Sequence, residues 1–332
     1  MPSISVIVPC FNEGRTITQL LVAIANQNFP RPDLEIIIAD GHSTDSTRQH
    51  ISEFQASHPD LAIKVIDNPK RLIPAGLNLA IAAAQGATIV RLDAHCVPQA
   101  DYLSRVLKAL DAGLGSNVGG VWAIPGGARG CIAASIAIAA SHPLGVGDAY
   151  YRYTKQAREA DTVPFGAFRK ALVSTLGGFD ESLHSNEDYE FNARIRQEGG
   201  KIWLDPEIKS IYFARSTLSA LARQYARYGY WKVRMLRHYP GSLRLRQVLP
   251  PLFVLSLITL ALAGLNWPWL HWVLIFEVVS YLVLLLGAAV LKTLEFKQIK
   301  FLFGIPLAIA TMHLSWGAAF LWSLINPSVR KV

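Results

Sequence analysis

The chain has 332 residues, enough for one large domain or two ordinary ones, and 51% of them are hydrophobic. Its mean hydropathy is positive, so a membrane-embedded part is expected alongside any soluble domain. The formal net charge is +8 and the three cysteines, Cys10, Cys96 and Cys131, are widely spaced, which excludes a disulfide framework or a Cys-x-x-Cys zinc site and favours a reducing compartment.

No basic segment precedes an apolar core at the N-terminus, so a secretory leader is not expected. Ser3 to Pro9 reads as a short β-branched strand, followed by the polar loop Asn12-Glu13-Gly14. Thr16 to Asn26 has helical spacing, with Ile17, Leu20, Leu21 and Ile24 on one face. Leu34 to Ala39 is a second apolar strand, ending at Asp40-Gly41-His42-Ser43-Thr44-Asp45. Ser46 to Ser57 is predicted as a helix, Ile63 to Ile66 as a third strand, and Ile73 to Ala84 as a helix ending at Gly86. Thr88 to Val97 is a buried strand carrying Asp93 and His95 at its end. Alternating strands and helices, with strands apolar throughout, predict a parallel sheet covered on both faces.

Polar residues recur where these strands end: Asn12 and Glu13, then Asp40 and Asp45, then Asp93 and His95. Parallel strands would bring those ends to one rim, the usual ligand site of an open α/β sheet. Capping of the following helices is the alternative for Glu13, Asp40 and Asp45. If the strand persists, Asp93 and His95 share a face, and an oxygen and a nitrogen donor suit Mn²⁺ or Mg²⁺; a loop or capping role is the alternative.

Residues 117–147 are small and glycine-rich, without a dinucleotide fingerprint or a P-loop. The apolar stretch from Cys131 to Ala140 is too short to span a bilayer and reads as a buried helix or one that dips into the membrane face. A helix from Lys170 to Leu176 leads to Gly177-Gly178-Phe179-Asp180-Glu181, and another opens at Asn186-Glu187-Asp188-Tyr189-Glu190 and runs through Gln197. Four carboxylates, Glu181, Glu187, Asp188 and Glu190, exceed what a helix N-terminus needs, so at least one is expected to face the site.

From Ile208 to Phe276 there is no Asp or Glu, while eight basic residues from Arg215 to Arg246 alternate with Tyr225, Tyr228, Tyr230, Trp231 and Tyr239. Nucleic acid is one reading of such a run. Apolar segments follow at once, near Pro251 to Leu265, Trp269 to Leu291 and Phe301 to Ile325, which favours an anionic membrane surface instead. The last two match a hydrocarbon core of ~30 Å, and the first does so only with its flanks. Five tryptophans lie mostly near segment ends, and Lys292, Lys297 and Lys300 fill the second connection, as three spans with cytoplasmic basic sides require. Arg330 and Lys331 would then end outside, against that tendency.

The order Val-Ile-Val-Pro-Cys-Phe-Asn-Glu, Ala-Asp-Gly-His-Ser-Thr-Asp, Leu-Asp-Ala-His, Gly-Gly-Phe-Asp-Glu and Asn-Glu-Asp-Tyr-Glu closely resembles family 2 glycosyltransferases with the GT-A fold. Asp-Ala-His, Phe-Gly-Ala-Phe-Arg and the C-terminal apolar segments look most like the succinoglycan-type, ExoA-like glucosyltransferases. The resemblance implies an α/β, Rossmann-like, mostly parallel GT-A domain over residues 1–212. A basic aromatic membrane-proximal segment (213–248) and transmembrane helices, three in number (249–326), follow it. It implies that Pro9, Phe11, Asn12 and Glu13 line a nucleotide pocket, that Asp40 holds base or ribose, and that Asp93 and His95 match the metal motif, with His in place of the second carboxylate. Phe11 stands where the family often has Tyr. Asp188 matches the catalytic base. Gln224, Arg227 and Tyr228 are similar to the Gln-x-x-Arg-Trp of processive synthases, with Tyr for Trp, and with Glu187 are assigned to acceptor or diphosphate.

The chemistry asks for these groups too. A nucleoside diphosphate leaves with negative charge that a divalent cation and side chains such as Arg71 or Arg227 neutralise, while one carboxylate deprotonates the acceptor hydroxyl. Direct attack inverts the anomeric centre, and no second catalytic carboxylate is needed. The expected reaction moves a hexose, glucose from UDP-glucose, onto a polyprenyl-diphosphate-linked glycan at the cytoplasmic face of the inner (plasma) membrane, in exopolysaccharide or cell-surface polysaccharide synthesis. The expected partners are a nucleotide sugar, a lipid-linked acceptor, the membrane and polysaccharide-assembly proteins, and no nucleic acid. The alternatives are transfer to bare polyprenyl phosphate, as in dolichyl-phosphate-mannose-synthase-like enzymes, and a catalytically silent membrane scaffold. A nucleotidyltransferase lacks its glycine-rich N-terminal phosphate loop here.

Overall fold

The computed structural model describes residues 2–326, so Arg330 and Lys331 lie outside the described residues. The chain forms two compact units: one of residues up to Ala123 together with Tyr153–Tyr212, the other of Ile124–Arg152 together with the chain from Phe213 onward. Residues 124–152, inside the span expected for the first domain, therefore cluster with the C-terminal helices.

In the first unit the chain runs β1 (Ile4–Cys10), α1 (Ile17–Ala25), β2 (Leu34–Asp40), α2 (Thr47–Ser57), β3 (Ala62–Asp67), α3 (Ile73–Ala83), β4 (Thr88–Arg91), β5 (Cys96–Pro98), α4 (Tyr102–Asp111) and β6 (Asn117–Ala123). Strands β1 to β4 are parallel neighbours in the order β3-β2-β1-β4. Ile4, Val6, Ile7 and Val8 of β1 are wholly buried, the double-sided burial that a continuous β-branched run predicts. Strand β3 closes the sheet edge and alternates exposed and half-buried residues. Helix α1 buries Ile17, Leu20, Leu21 and Ile24, the face its spacing predicts.

The second unit opens with α5 (Cys131–Ala140) and α6 (Pro143–Val146). The chain then returns to the first with β7 (Arg158–Glu159), β8 (Ala167–Arg169), α7 (Ala171–Leu176), α8 (Glu187–Gln197) and β9 (Ile202–Tyr212). Strand β8 pairs antiparallel with β4 and β6, β9 runs parallel to β6, and β5 and β7 join β9 antiparallel. The parallel half thus continues into a mixed half. Strand β9 buries every second residue from Ile202 to Tyr212, as a strand with one covered face does.

Where β6 and β9 pair, the register slips between Gly120 and Val121. A Cβ on Gly120 would lie 1.7 Å from the Ile208 carbonyl oxygen. Only a glycine lets the two backbones meet there, and the slip re-aims the end of β6, where Trp122 stacks on Tyr212 at 4.1 Å.

The second unit continues with α9 (Leu218–His238), α10 (Leu245–Ala263), α11 (Leu270–Phe296) and α12 (Phe301–Ile325). Three of these, α10, α11 and α12, are long and apolar enough to cross a membrane. Helix α12 is the hub: α5, α6, α9, α10 and α11 all pack on it. Helix α5 is a buried helix; its Ser135 meets α12 so closely that a Cβ on Gly304 would lie 2.1 Å from the hydroxyl oxygen. Helix α9 carries the middle of the basic run, from Arg223 to Arg237, with Arg215 before it and Arg244 and Arg246 after it. Arg215, Arg223, Arg227 and Arg237 are exposed, whereas Lys232 turns inward and donates to the Ser242 carbonyl and hydroxyl at 3.1 Å each, and Arg246 pairs with Asp148.

Gly120→Ala should destabilise the first unit by about 1–3 kcal/mol through overpacking. Gly241→Ala, where an added Cβ meets nothing within 4 Å, should stay within about 0.5 kcal/mol of the parent; urea unfolding of both variants checks the contrast.

Candidate active site

The parallel register sets the site. Cys10 lies opposite Asp40, and Asp40 opposite Asp67, so three strand ends finish level. Asp40 is fully buried and accepts from the Ser43 hydroxyl (2.5 Å), the Ser43 backbone N–H (3.1 Å) and Arg48 Nε (2.5 Å). Arg48 also pairs with Asp67. Asp40 thus braces the loop that follows β2 and anchors a guanidinium at its rim. Asp45 accepts from Gly14 N–H and from the backbone and hydroxyl of Thr47, which opens α2. The Thr47 hydroxyl, with those N–H groups, holds the Asp45 carboxyl below the usual range. Its role is the capping one.

Pro9 lies within β1, and the loop beyond it is fixed by side chains. Asn12, at a left-handed φ of 55°, receives the Thr44 N–H on its Oδ1 at 2.8 Å and donates its own N–H to the Ser43 hydroxyl. Phe11 is 45% exposed, and Arg71 lies over its ring at 5.7 Å. A Cβ on Gly41 would approach Phe11 at 3.2 Å, so main chain lies close against the ring. Burial, with Asp40 and Glu13 nearby, pushes the Cys10 thiol up, so it stays protonated and unreactive.

The expected strand through Asp93 and His95 stops at Arg91; Ala94 and His95 form a turn that the Cys96 N–H closes onto the Asp93 carbonyl, and Cys96–Pro98 pairs with β9 instead. The two side chains therefore project from a turn, not from one strand face. His95 Nδ1 lies 3.0 Å from Glu13 Oε1, and Glu13 Oε2 accepts from the Thr16 hydroxyl at 2.5 Å. A carboxylate behind an imidazole is the usual way to orient a ligating histidine. The side chains of Asp93 and His95 keep 23% and 38% of their surface. Among the described residues no three His, Cys, Asp or Glu side chains gather as a ready cage. Two donors in one turn still fit Mg²⁺ or Mn²⁺, which keep waters and take substrate phosphates for the rest.

The residue that composition alone left unexplained is Arg91. It ends β4, is 3% exposed, and faces three carboxylates: Asp188 through Nη1, and Asp93 (3.1 Å) and Glu187 (2.9 Å) through Nη2. The signal was present in the sequence, because a lone arginine inside a buried strand must meet anions. Burial disfavours its charge, but the three carboxylates outweigh that and hold it protonated. Burial pushes the Asp188 carboxyl up to about 7; Glu187 and Asp93 add to the rise and Arg91 opposes it. The group thus titrates where a general base is useful.

The four acidic residues around 181–190 part company. Glu187 and Asp188 turn to Arg91. Glu181 takes Lys70 and Asn78, and fully buried Glu190 pairs with Arg194, whose Nη atoms also reach the Leu176 (2.7 Å) and Gly178 (2.6 Å) carbonyls. Asn186 enters α8 at a φ of 71°, turning the chain so that the first helical residues face Arg91. In the second unit, Gln224 Nε2 donates to the Tyr228 hydroxyl at 2.9 Å and Arg227 lies over the Tyr228 ring at 5.9 Å, one cluster on α9.

Aligned strand ends thus carry an exposed ring beside a cation, and the end of β4 carries an arginine facing three carboxylates, one of them raised by burial. The family model described as "Glycosyl transferase family 2" matches residues 5–175. The Methanococcus voltae dolichyl N-acetyl-alpha-D-glucosaminyl phosphate 3-beta-D-2,3-diacetamido-2,3-dideoxy-beta-D-glucuronosyltransferase is 31% identical over 269 residues, 80% of this chain and 83% of that protein. Succinoglycan biosynthesis protein ExoA of Rhizobium meliloti is 28% identical over 326 residues, 97% of this chain and 94% of that one. Among solved structures, mannosyltransferase PcManGT from Pyrobaculum calidifontis, in complex with GDP-Man and Mn²⁺, has the same fold with a TM-score of 0.65. At 20% identity, that match covers 97% of this chain and 87% of the other. The chain belongs to glycosyltransferase family 2, with a GT-A-like fold, and is a glycosyltransferase.

Proposed function

We propose that this enzyme is an inverting hexosyltransferase that moves glucose from UDP-glucose onto a lipid-linked sugar at the cytoplasmic face of the plasma membrane, with Asp188 as its base. The observation that carries the reading is that one buried guanidinium, Arg91, gathers Asp93 and Asp188, so the donor-side carboxylate and the base share a floor. The two long relatives support a lipid-linked or polysaccharide acceptor. One is named for transfer to a dolichyl-phosphate-linked sugar and the other for succinoglycan biosynthesis. Three apolar helices suit an acceptor held by a membrane.

Phe11 stacks on the base, with Arg71 beside it, while Asn12 and the braced Asp40 loop shape the nucleotide pocket. Asp93, with His95 turned by Glu13, would hold a divalent cation, which supplies positive charge to the departing diphosphate. Asp188 takes the acceptor hydroxyl proton as the oxygen attacks the anomeric carbon from the face opposite the diphosphate. Arg91 keeps that carboxylate aimed, and Glu187 keeps its basicity high. Gln224, Arg227 and Tyr228 are assigned to the acceptor or its diphosphate.

The test is transfer of labelled glucose from UDP-glucose to a lipid-linked sugar. Asp188→Asn should lower that rate by about 10²- to 10⁴-fold and leave UDP affinity within about twofold; a fully active variant, or label appearing only on bare polyprenyl phosphate, would sink the reading. Asp93→Ala should weaken Mn²⁺-dependent UDP binding by about 10- to 100-fold, measured by calorimetry across a Mn²⁺ series. Because Asp188 must be deprotonated to act, the transfer rate should climb as pH rises through about 7. Glu187→Gln removes a neighbouring negative charge and should move that climb to lower pH; a pH profile of both proteins reads the shift.

A further inference from the structure

The guanidinium of Arg91 has five N–H donors. Its Nη atoms serve the three carboxylates, but its Nε is buried and has no hydrogen-bond partner among the described residues. Asn117, the first residue of β6, shows the complementary defect. Its Nδ2 donates to Asn192 Oδ1 at 2.7 Å, and Asn192 Nδ2 donates in turn to the Thr162 hydroxyl at 2.9 Å. Asn117 Oδ1 is buried and accepts from no group among the described residues. Both residues are 3% exposed. An orphaned donor and an orphaned acceptor are each costly in a protein interior.

The two residues line one narrow cavity, together with Gly166, Asp188 and the rings of Phe168 and Phe191. It has room for a single water and no more. Asn117 is held against Gly166, whose added Cβ would lie 2.3 Å from Oδ1, so the carboxamide is seated by close packing with the main chain. The Gly166 carbonyl in turn accepts the Arg91 backbone N–H at 3.1 Å.

We infer that one buried water accepts from Arg91 Nε and donates to Asn117 Oδ1. It ties the guanidinium that aims Asp188 to the Asn117–Asn192–Thr162 chain. Asn117 is then a positioning residue, acting on Asp188 through the water and Arg91. This rests on the reading of Asp188 as base. A fixed internal water of this kind completes the hydrogen bonding of a buried network and stiffens it.

The test has two arms. A density map of the full-length enzyme that resolves ordered waters should show one water within hydrogen-bond distance of both Arg91 Nε and Asn117 Oδ1. A dry cavity overturns the inference, whatever the variants do. In the second arm, Asn117→Leu fills the space with methyl groups, so the density should vanish. With Asp188 less well aimed, kcat should fall about 10- to 100-fold, and KM for UDP-glucose should stay within about twofold. Unchanged kcat in that variant removes the positioning role. If instead Asp188→Asn is fully active, the base assignment fails, and the positioning claim built on it falls while the map still decides the water.

Discussion

The structure of the site depends on a single buried cation facing three anions. At an effective dielectric of 20, opposite unit charges about 4 Å apart attract by about 4 kcal/mol, so Arg91 gains from each of Asp93, Glu187 and Asp188. The carboxylates repel one another, and one positive charge faces three acidic groups, so the cluster carries surplus negative charge once Asp188 is ionised. Apolar residues of similar volume are often at least as stable as a buried ion network. What the ions provide is a floor with unspent negative charge. Burial raises the Asp188 carboxyl most, and the charges of Glu187 and Asp93 add to the rise. Losing Arg91 would leave three carboxylates without their counter-ion, so fold and chemistry are tied to one residue.

The rim above that floor is built by a different principle. Its loops are short and polar, and nearly every bend is held by a side chain bonding to a backbone group. Asp40 holds Ser43, Asp45 holds Gly14 and Thr47, and Asn12 holds Thr44. Asn12, His42, Arg71 and Asn186 adopt left-handed φ in these loops, which is uncommon for residues with a side chain and persists where the surroundings over-determine it. Loops held this way lose little freedom when a ligand arrives, so more of the contact energy remains as affinity. The level finish of β1, β2 and β3 makes such short braces possible.

These two principles differ in how far they can be read from sequence. Hydrophobic runs reveal that β1, β2 and β4 are covered on both faces, and the spacing of Ile17, Leu20, Leu21 and Ile24 gives the buried face of α1, because burial leaves its mark residue by residue. The carboxylates at strand ends were legible for the same reason, since each follows its own strand. Partners were not. Arg91 and Asp188 are 97 positions apart, and Glu13 and His95 are 82 apart; nothing local in either segment names the other. The strand expected to run on to Val97 ends at Arg91, because Cys96 and Val97 find their hydrogen bonds on β9, a strand more than a hundred residues later. Apolar pattern likewise marked Cys131–Ala140 as a buried helix or one that dips into the membrane face without naming a partner, and it packs on α12.

The helical unit faces the opposite problem. Helices that are apolar on every side have no hydrophobic preference for one another in lipid, so the many leucines of α10 and α11 cannot by themselves choose a register. The choice falls to the few residues that are not apolar or not large. Ser256 of α10 donates to Glu277 of α11 at 2.5 Å, and one turn on, Tyr281 of α11 meets His313 of α12 at 3.0 Å. Glu277 and Tyr281 are four positions apart and so share a face of α11, which places both pairs along one seam. Backbone approach supplies the rest: a Cβ on Gly317 would lie 2.5 Å from the Pro250 carbonyl oxygen, and one on Gly229 would lie 2.4 Å from that of Trp316. A shift of α12 by one turn would strand the Tyr281–His313 pair and drive side chains into those backbones, and a shift between α10 and α11 would strand Ser256–Glu277, so a handful of atoms sets the register of three long helices.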